Sequence, residues 1–546
     1  MGQSRKSLCL SIVSTAMLIL LAIPVVAQLP TATILGVAKD TSGGVLPIAT
    51  VTATNLDTGL TRTVKTGDDG AYRIPELPVG RYEVKGEHAG FKTETRKGIT
   101  LQVTDQAVIN FTFEVGSTDQ QVVVTEEASI VNTQNATLGG LVNEQNIENL
   151  PLNGRNYVDL SLLQPGVSPD RNVRDAGTSF SVNGAPPRSN NFTLDGAILQ
   201  NSTGRNPAAG ESGDSLGVDG IKEYRIVTGI FQAEYGLAMG SQMVAVSKGG
   251  TNQFHGDVFE YLRNSKLDAK NFFDTGKIPE YQRNQFGGAF GGPIKKDKTF
   301  FFAVFEGLRE NLGTTNNNLV PSAGCHGNAG DVITVANCPD LTGLASSVTL
   351  SQYTAPFLAL APLPQTPLTF NSDGSINNLA INEFGDHDTN GENYGQIRVD
   401  ENFSTTDTLF GRYTIDNAIQ NQTVGDYSYF HQLPTARNQW ITLAENHTFS
   451  PSVLNTAQFS FSRTRDTVVT NNIGLPNNNL GPPIVMGFPT GVVDMNGSAG
   501  GTYTEFGSSN NLPINFDLQN IYTLGDDFLV TPVSYTHLTL PTNREV

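Results

Sequence analysis

The sequence of 546 residues is poor in charge, in cysteine and in long apolar runs. Charged residues make up only 16% of it, against about 25% in an average soluble protein. Three cysteines are too few for a disulfide-dense scaffold, and their scatter leaves no multi-cysteine zinc module. Basic residues are the scarcer sign, 34 Lys and Arg against 52 Asp and Glu, for a formal net charge of −18. That balance lacks the electrostatic footprint of a nucleic-acid binder, so nucleic acid is excluded as a partner. His-Glu-x-x-His, a phosphate-cradling Gly-Lys-Ser/Thr loop and a Gly-x-Ser-x-Gly elbow are all missing. No enzyme is expected, and no cofactor is implied. What the chain does have is glycine, 56 residues of it, among short β-prone runs. Its length corresponds to three or four domains of about 150 residues. The class this leaves is an exported, mainly β, multi-domain protein.

Residues 1–27 read as a signal peptide. Arg5 and Lys6 precede an apolar stretch from Leu8 to Ile23, and Val25-Val26-Ala27 offers a small-residue cleavage site before Gln28. Ser11, Ser14 and Thr15 interrupt that stretch, which falls short of the roughly 20 apolar residues of a spanning helix. No later segment reaches that length, so a mature chain seated in a membrane would have to be a closed β-barrel.

From Thr31 to Val115, short β-rich runs alternate with turn signals such as Asp69-Gly70 and Pro78-Val79-Gly80, which predicts a small antiparallel sandwich of the immunoglobulin type. Gly36-Val37, Asp68-Asp69-Gly70-Ala71-Tyr72, Leu77-Pro78-Val79-Gly80-Arg81-Tyr82 and Gly90-Phe91 make residues 28–116 resemble the carboxypeptidase regulatory-like domain, a carbohydrate-binding-like fold. These are turn and core residues that speak for a fold; a structural spacer and a sugar-binding module both remain open. No peptidase machinery accompanies the domain.

Residues 117–127 carry the run Val122-Val123-Val124-Thr125, an extended segment able to add as a strand to a partner's sheet. Its place between two domains resembles the TonB box of TonB-dependent outer-membrane receptors; an ordinary linker strand is the plain alternative. In residues 128–250 the ordered matches are denser: Leu150-Pro151-Leu152-Asn153-Gly154-Arg155-Asn156-Tyr157, Phe180-Ser181-Val182-Asn183-Gly184, Phe192-Thr193-Leu194-Asp195-Gly196 and Ser247-Lys248-Gly249-Gly250. They resemble the plug domain of the Oar-like branch of those receptors, and on the residues alone the block reads as a compact α/β unit.

After Thr251 the pattern becomes hairpins of period two. Ile397 and Val399 alternate with Gln396, Arg398 and Asp400, and Ala457, Phe459 and Phe461 with Gln458, Ser460 and Ser462. Strands are expected at 251–263, 281–293, 299–311, 391–402, 408–418, 438–449 and 453–466. Short turns between them alternate with long connections at 264–280, 312–390, 419–437 and beyond 466, the loop sorting of an outer-membrane barrel. The aromatic clusters Phe272-Phe273 and Phe300-Phe301-Phe302 fit interfacial girdles. Residues 251–533 are thus expected to form the first part of a transmembrane antiparallel barrel. The family closes its barrel with about 22 strands, and this sequence offers text for about eight, so a C-terminally truncated fragment is expected. Residues 534–546 resemble a translated sequencing adapter and carry no fold assignment.

Asp386-His387-Asp388-Thr389-Asn390-Gly391 imitates the start of a calcium loop, although position twelve is Ile397 rather than a bidentate glutamate; Asp386, Asp388 and Asn390 are a weak calcium candidate against a solvated loop end. Cys325 and Cys338, exported and close in sequence, are expected to form a disulfide in the long connection. His255, His431 and His447 lie far apart and read as ordinary strand residues.

The resemblance implies a TonB-dependent receptor in the cell outer membrane that takes up a large solute, oligosaccharide or iron chelate among the options. Its partners would be the periplasmic TonB protein, an extracellular solute and outer-membrane lipid. Coupling falls on Val122, Val123, Val124 and Thr125, and the plug motifs on Asn153, Gly154, Arg155, Asn156, Asn183, Gly184, Asp195 and Gly196. A non-transporting adhesin or envelope protein on the same barrel is the alternative.

Overall fold

The computed structural model describes residues 31–117, 121–125, 138–169, 180–201, 215–229, 240–270, 278, 280–352, 355–359, 361–372, 376–423, 430–450, 453–472 and 514–530. The expected signal peptide, Phe272-Phe273 and the tail at 534–546 lie outside these residues.

Alternate burial along each N-terminal strand builds a two-sheet sandwich. Its strands are β1 (Ala32–Asp40), β2 (Thr50–Asn55), β3 (Thr61–Lys65), β4 (Ala71–Leu77), β5 (Gly80–Glu87), β6 (Thr93–Leu101), β7 (Gln106–Val108), β8 (Phe111–Phe113) and β9 (Gln121–Thr125). One sheet runs β4-β1-β7 with β8 also on β1, the other β3-β2-β5-β6-β9. Ile34, Val51, Ala53, Ile74, Tyr82, Val84, Phe111 and Phe113 fill the space between them, as period-two patterning demands. Tyr82 donates its hydroxyl to the Pro78 carbonyl at 2.8 Å, which pins the corner that Leu77-Pro78-Val79-Gly80 turns. Two features depart from an all-antiparallel sandwich: β1 pairs in parallel with β7 and β8, and β6 in parallel with β9. The second pairing draws Val122–Thr125 into the domain's own sheet, so this stretch is a ninth strand rather than a free linker.

The plug comprises β10 (Leu138–Val142), α1 (Glu144–Asn149), β11 (Val167–Pro169), β12 (Phe180–Val182), β13 (Asn191–Leu194), β14 (Ala197–Ile198), β15 (Ile221–Gly229) and β16 (Gln242–Ser247). A mixed sheet of order β10-β15-β16-β13-β14 carries most of it. Among the described residues of the plug, helical structure is limited to the six residues of α1, N-capped by Asn143, and to short 3-10 turns. The sandwich docks under this sheet. Val79 and Val103 pack on Val244 and Val246, Arg225 pairs with Asp105 at 2.7 Å, and the Val103 amide donates to the buried Glu223 carboxylate.

The second half is one antiparallel meander. It contains β17 (His255–Asn264), β18 (Tyr281–Lys295) and β19 (Thr299–Leu319); a long connection holding β20 (Val332–Thr334), β21 (Ser347–Thr349), α2 (Ala355–Leu358), β22 (Thr369–Phe370) and β23 (Ile376–Asn378); then β24 (Ile381–Asn402), β25 (Asp407–Thr423), β26 (Phe430–Ser450), β27 (Val453–Asn472) and β28 (Ile514–Val530). The eight long strands pair in sequence order, β17-β18-β19-β24-β25-β26-β27-β28, and β17 and β28 do not meet among the described residues. The sheet is therefore an arc of wall. The strands are longer than their apolar alternation suggested, because the polar stretches 312–319 and 381–390 also pair.

Two expectations are corrected here. Asp386, Asp388 and Asn390 sit inside β24, an extended strand that cannot wrap around an ion; Asp386 and Asp388 instead accept hydrogen bonds from the Thr423 hydroxyl (2.6 Å) and amide (2.8 Å) on β25. Of Phe300, Phe301 and Phe302 only Phe301 faces outward; Phe300 and Phe302 are buried on the inner face, because successive strand residues point opposite ways. Cys325 and Cys338 are disulfide-bonded within the long connection, beside Val320, Ile333 and Leu350.

Burial pushes the Glu223 carboxyl up to about 7, an effect the Val103 amide and Lys222 only partly offset. A carboxyl raised in the folded state from an ordinary 4.5 contributes stability below its unfolded value and loses it as pH climbs toward 7. At about 1.4 kcal/mol per unit this is on the order of 3 kcal/mol. Glu223→Gln is expected to gain melting temperature relative to the parent between pH 5 and 8. Equal pH profiles of the two proteins would contradict a buried ionisation at this interface.

Candidate functional site: the plug against the barrel wall

Each plug motif contains a left-handed turn, and two of the three meet the wall. Asn183-Gly184 links β12 to Ala185 with φ of 51° and 79°, and Asp195-Gly196 links β13 to β14 with 46° and 78°. Two consecutive positive φ values make a type I′ hairpin turn, for which Asn-Gly and Asp-Gly are the favoured pairs. Gly154 and Arg155 form a third left-handed step at 80° and 57°. The motif residues therefore earn their places first as backbone, and two of them then offer a charge to the wall.

Asp195 is the centre of the larger contact. Its carboxylate accepts from the Ser247 amide (3.0 Å) and hydroxyl (2.6 Å) within the plug, and from Arg412 Nε of β25 at 2.7 Å. Arg398 Nη1 of β24 approaches to 3.7 Å. Arg412 is fully buried and also donates to the Leu194 carbonyl (2.8 Å), Thr414 Oγ1 (2.6 Å) and Thr442 Oγ1 (3.0 Å). Arg398 forks onto Asp400 at 2.7 to 3.1 Å and donates to the Ser247 hydroxyl at 2.9 Å. Gln458 of β27 donates to the Asp195 carbonyl at 2.9 Å. Two desolvated ions so fully bonded are held by geometry, and removing one partner costs about 3–5 kcal/mol.

Arg155 makes the second tie, with the polarity reversed. It bonds Asp219 of the plug at 2.5 Å and Glu306 of β19 at 3.3 Å, and its guanidinium lies over the Phe259 ring at 3.7 Å. Glu306 accepts further from the Gly217 amide (2.8 Å) and Gln285 (2.7 Å), and Gln285 also donates to the Gly154 carbonyl (3.0 Å). Trp440 of β26 inserts into the plug's hydrophobic cluster. Beside these contacts, on the β17 and β18 side, lies a cavity of about 900 Å³ lined by Leu150, Leu152, Lys248, Asp257, Arg263 and Arg283 among others.

The structure brings Asp195, Gly196, Gly154 and Arg155 to the wall. Asn156 stays within the plug, where it caps the following 3-10 turn by accepting from the Val158 amide; Asn183 donates to the Thr228 carbonyl. Asn153 opens the 3-10 turn before Arg155. Val122–Thr125 lie apart, on the sandwich edge. From the sequence Arg398 reads only as a wet-face residue of an alternating strand, and Arg412 lies within the expected strand 408–418 without being singled out. The missed signal was a full charge at an inward position, which needs an opposite charge inside. Among the described residues Asp407, Glu445 and His447 also lie within 4.8 Å of one another at the rim, where Asp407 already accepts from His447 and Ser404.

Residues 33–114 match the carboxypeptidase regulatory-like domain, and residues 246–532 match the outer membrane beta barrel domain. The TonB-dependent transporter Oar of Myxococcus xanthus is 28% identical over 270 residues, 47% of this chain and 24% of that protein, so the chain spans about a quarter of this relative's length. Similar solved structures include the outer membrane transporter YddB of Escherichia coli (11% identity, TM-score 0.40, 61% of this chain and 39% of that one) and the ferric enterobactin receptor PfeA of Pseudomonas aeruginosa (10%, 0.40, 71% and 46%). The barrel domain places the protein in the outer membrane. With the barrel match covering more than half of the 546 residues, the chain belongs to the outer membrane beta barrel family.

Proposed function

We propose that this chain works as a TonB-dependent outer-membrane receptor that takes up a solute against its gradient and catalyses no reaction. The observation that carries the reading is a folded plug seated on the inner face of the wall by the Asp195–Arg412 pair. A plug so placed blocks passive flow. An outer membrane has no nucleotide supply, so work must arrive mechanically from the inner membrane, where one charge crossing 100 mV yields about 2.3 kcal/mol. β9 is the outermost strand of its sheet and offers an unpaired edge among the described residues, to which the periplasmic TonB protein would add a strand through main-chain hydrogen bonds. The chain leads from β9 to β10, the edge strand of the plug sheet, so tension applied there reaches the β10–β15 pairing first. Solute would be met from the side of the long connections. An oligosaccharide and an iron chelate both suit such a route, and the carbohydrate-binding-like sandwich favours the former only weakly.

Deleting Val122–Thr125 should weaken binding of the purified periplasmic domain of TonB at least tenfold. Val123→Pro, which removes one donor from β9, should weaken it less while leaving the sandwich folded. Undiminished TonB binding by the deletion variant would contradict the assignment of coupling to this strand.

A further inference from the structure

Further from the periplasmic turns than Arg412, the inward face of the wall carries oxygen-bearing side chains that neither plug contact uses. Strand register sets them in two tiers. Tyr394, Asp416 and Asn438 stand side by side on β24, β25 and β26, and one step beyond them stand Glu392, Ala418 and Ala436 on the same strands. All are buried. The two alanines have only a methyl each, which leaves room beside Glu392 for the longer side chains of the neighbouring tier.

Asp416 and Asn438 are 4% and 1% exposed. Facing residues on antiparallel strands have Cβ atoms about 5 Å apart, so a carboxylate and a primary amide placed this way would ordinarily bond each other. They do not. Asp416 Oδ1 and both polar atoms of the Asn438 amide have no hydrogen-bond partner among the described residues. The Asp416 carboxyl instead lies within hydrogen-bonding reach of the Glu392 carboxyl, a second acceptor. The plug adds Ser215, whose hydroxyl is also buried and unpartnered among the described residues. Ser215, Asp416 and Trp440 line one cavity of about 30 Å³ between plug and wall, enough for a water-sized species. Arg412, on the same face of β25, is committed to Asp195, and Arg155 to Asp219 and Glu306.

We propose that Asp416, Glu392 and Asn438 of the wall, together with Ser215 of the plug, bind one hard divalent cation, calcium or magnesium. Carboxylates, an amide carbonyl and a hydroxyl are the oxygen donors such ions take, and water completes the shell. A softer metal would find no imidazole or thiolate in this set. Two carboxyl groups in contact away from water require a positive species between them. A shared proton neutralises one charge and leaves the Asn438 oxygen unmet, whereas a divalent ion neutralises both and takes that oxygen as a ligand. Because its ligands come from both bodies, the ion is a third tie of plug to wall, and it holds whether or not the protein transports.

The test uses the full chain purified in neutral detergent, stripped with EDTA and then freed of the chelator. Calcium or magnesium chloride should raise the melting temperature of the parent by roughly 3 °C or more at saturation, and sodium chloride of equal ionic strength should not. Asp416→Asn should be no less stable than the parent in EDTA, because it separates two like charges, and should gain nothing from either divalent ion. In equilibrium dialysis against radioactive calcium it should bind about one ion fewer per chain. Asn438→Leu should weaken the same binding at least tenfold, and Glu383→Gln, an exposed carboxylate of β24, should behave like the parent. Calcium binding and stabilisation that survive unchanged in both Asp416→Asn and Asn438→Leu would overturn the site. So would equal stabilisation by sodium chloride, which would mean ionic screening, or a parent indifferent to both divalent ions, which would mean that the two carboxyl groups share a proton.

Discussion

A carboxylate on the plug and a guanidinium on the wall, both almost wholly withdrawn from water, meet at 2.7 Å, and the architecture of the molecule is arranged around them. Neither ion tolerates burial alone, so plug and wall are each incomplete without the other. The type I′ turn presents Asp195, Ser247 from the adjoining strand completes its shell, and β24, β25 and β27 supply Arg398, Arg412 and Gln458. Conformational specificity follows from this geometry. A plug rotated by one strand would leave at least two buried charges unpaired.

The same contact sets how the seat of the plug gives way. Apolar packing resists motion gradually, whereas a buried ionic network fails abruptly once water reaches it, because each ion then recovers its hydration. On the β17 and β18 side a cavity flanks the contacts of Gly154 and Arg155 with the wall.

Much of this was legible in the sequence. The strands of the wall follow from alternation, since Ile397 and Val399 or Phe459 and Phe461 cannot share a face with Arg398 or Ser460 in an extended chain. The eighth long strand, Ile514–Val530, was not delimited, because Asn520 and Asp526 interrupt the apolar face that Phe516, Leu518, Tyr522, Leu524 and Phe528 otherwise share. The turn glycines of the plug were visible as motifs, but their partners on the wall lie some 200 residues away, and period-two text says which face a residue occupies without saying what fills the lumen. The parallel addition of β9 to β6 was hidden for a related reason: an isolated valine run specifies extended backbone and leaves its sheet undetermined. The Asp386 to Asn390 segment misled because oxygen ligands at alternate positions describe one face of a strand as well as a calcium loop.

The most direct test of the plug held by a buried ion pair is a double-mutant cycle. Asp195→Asn keeps the turn and removes the charge, Arg412→Met keeps the packing and removes its counterpart, and denaturant unfolding in detergent reads the stability of each single variant and of the pair. The account predicts that each single change is strongly destabilising and that the double variant recovers part of the loss, with a coupling of about 2 kcal/mol or more. Additive effects within about 0.5 kcal/mol would mean that plug and wall do not depend on each other through this contact.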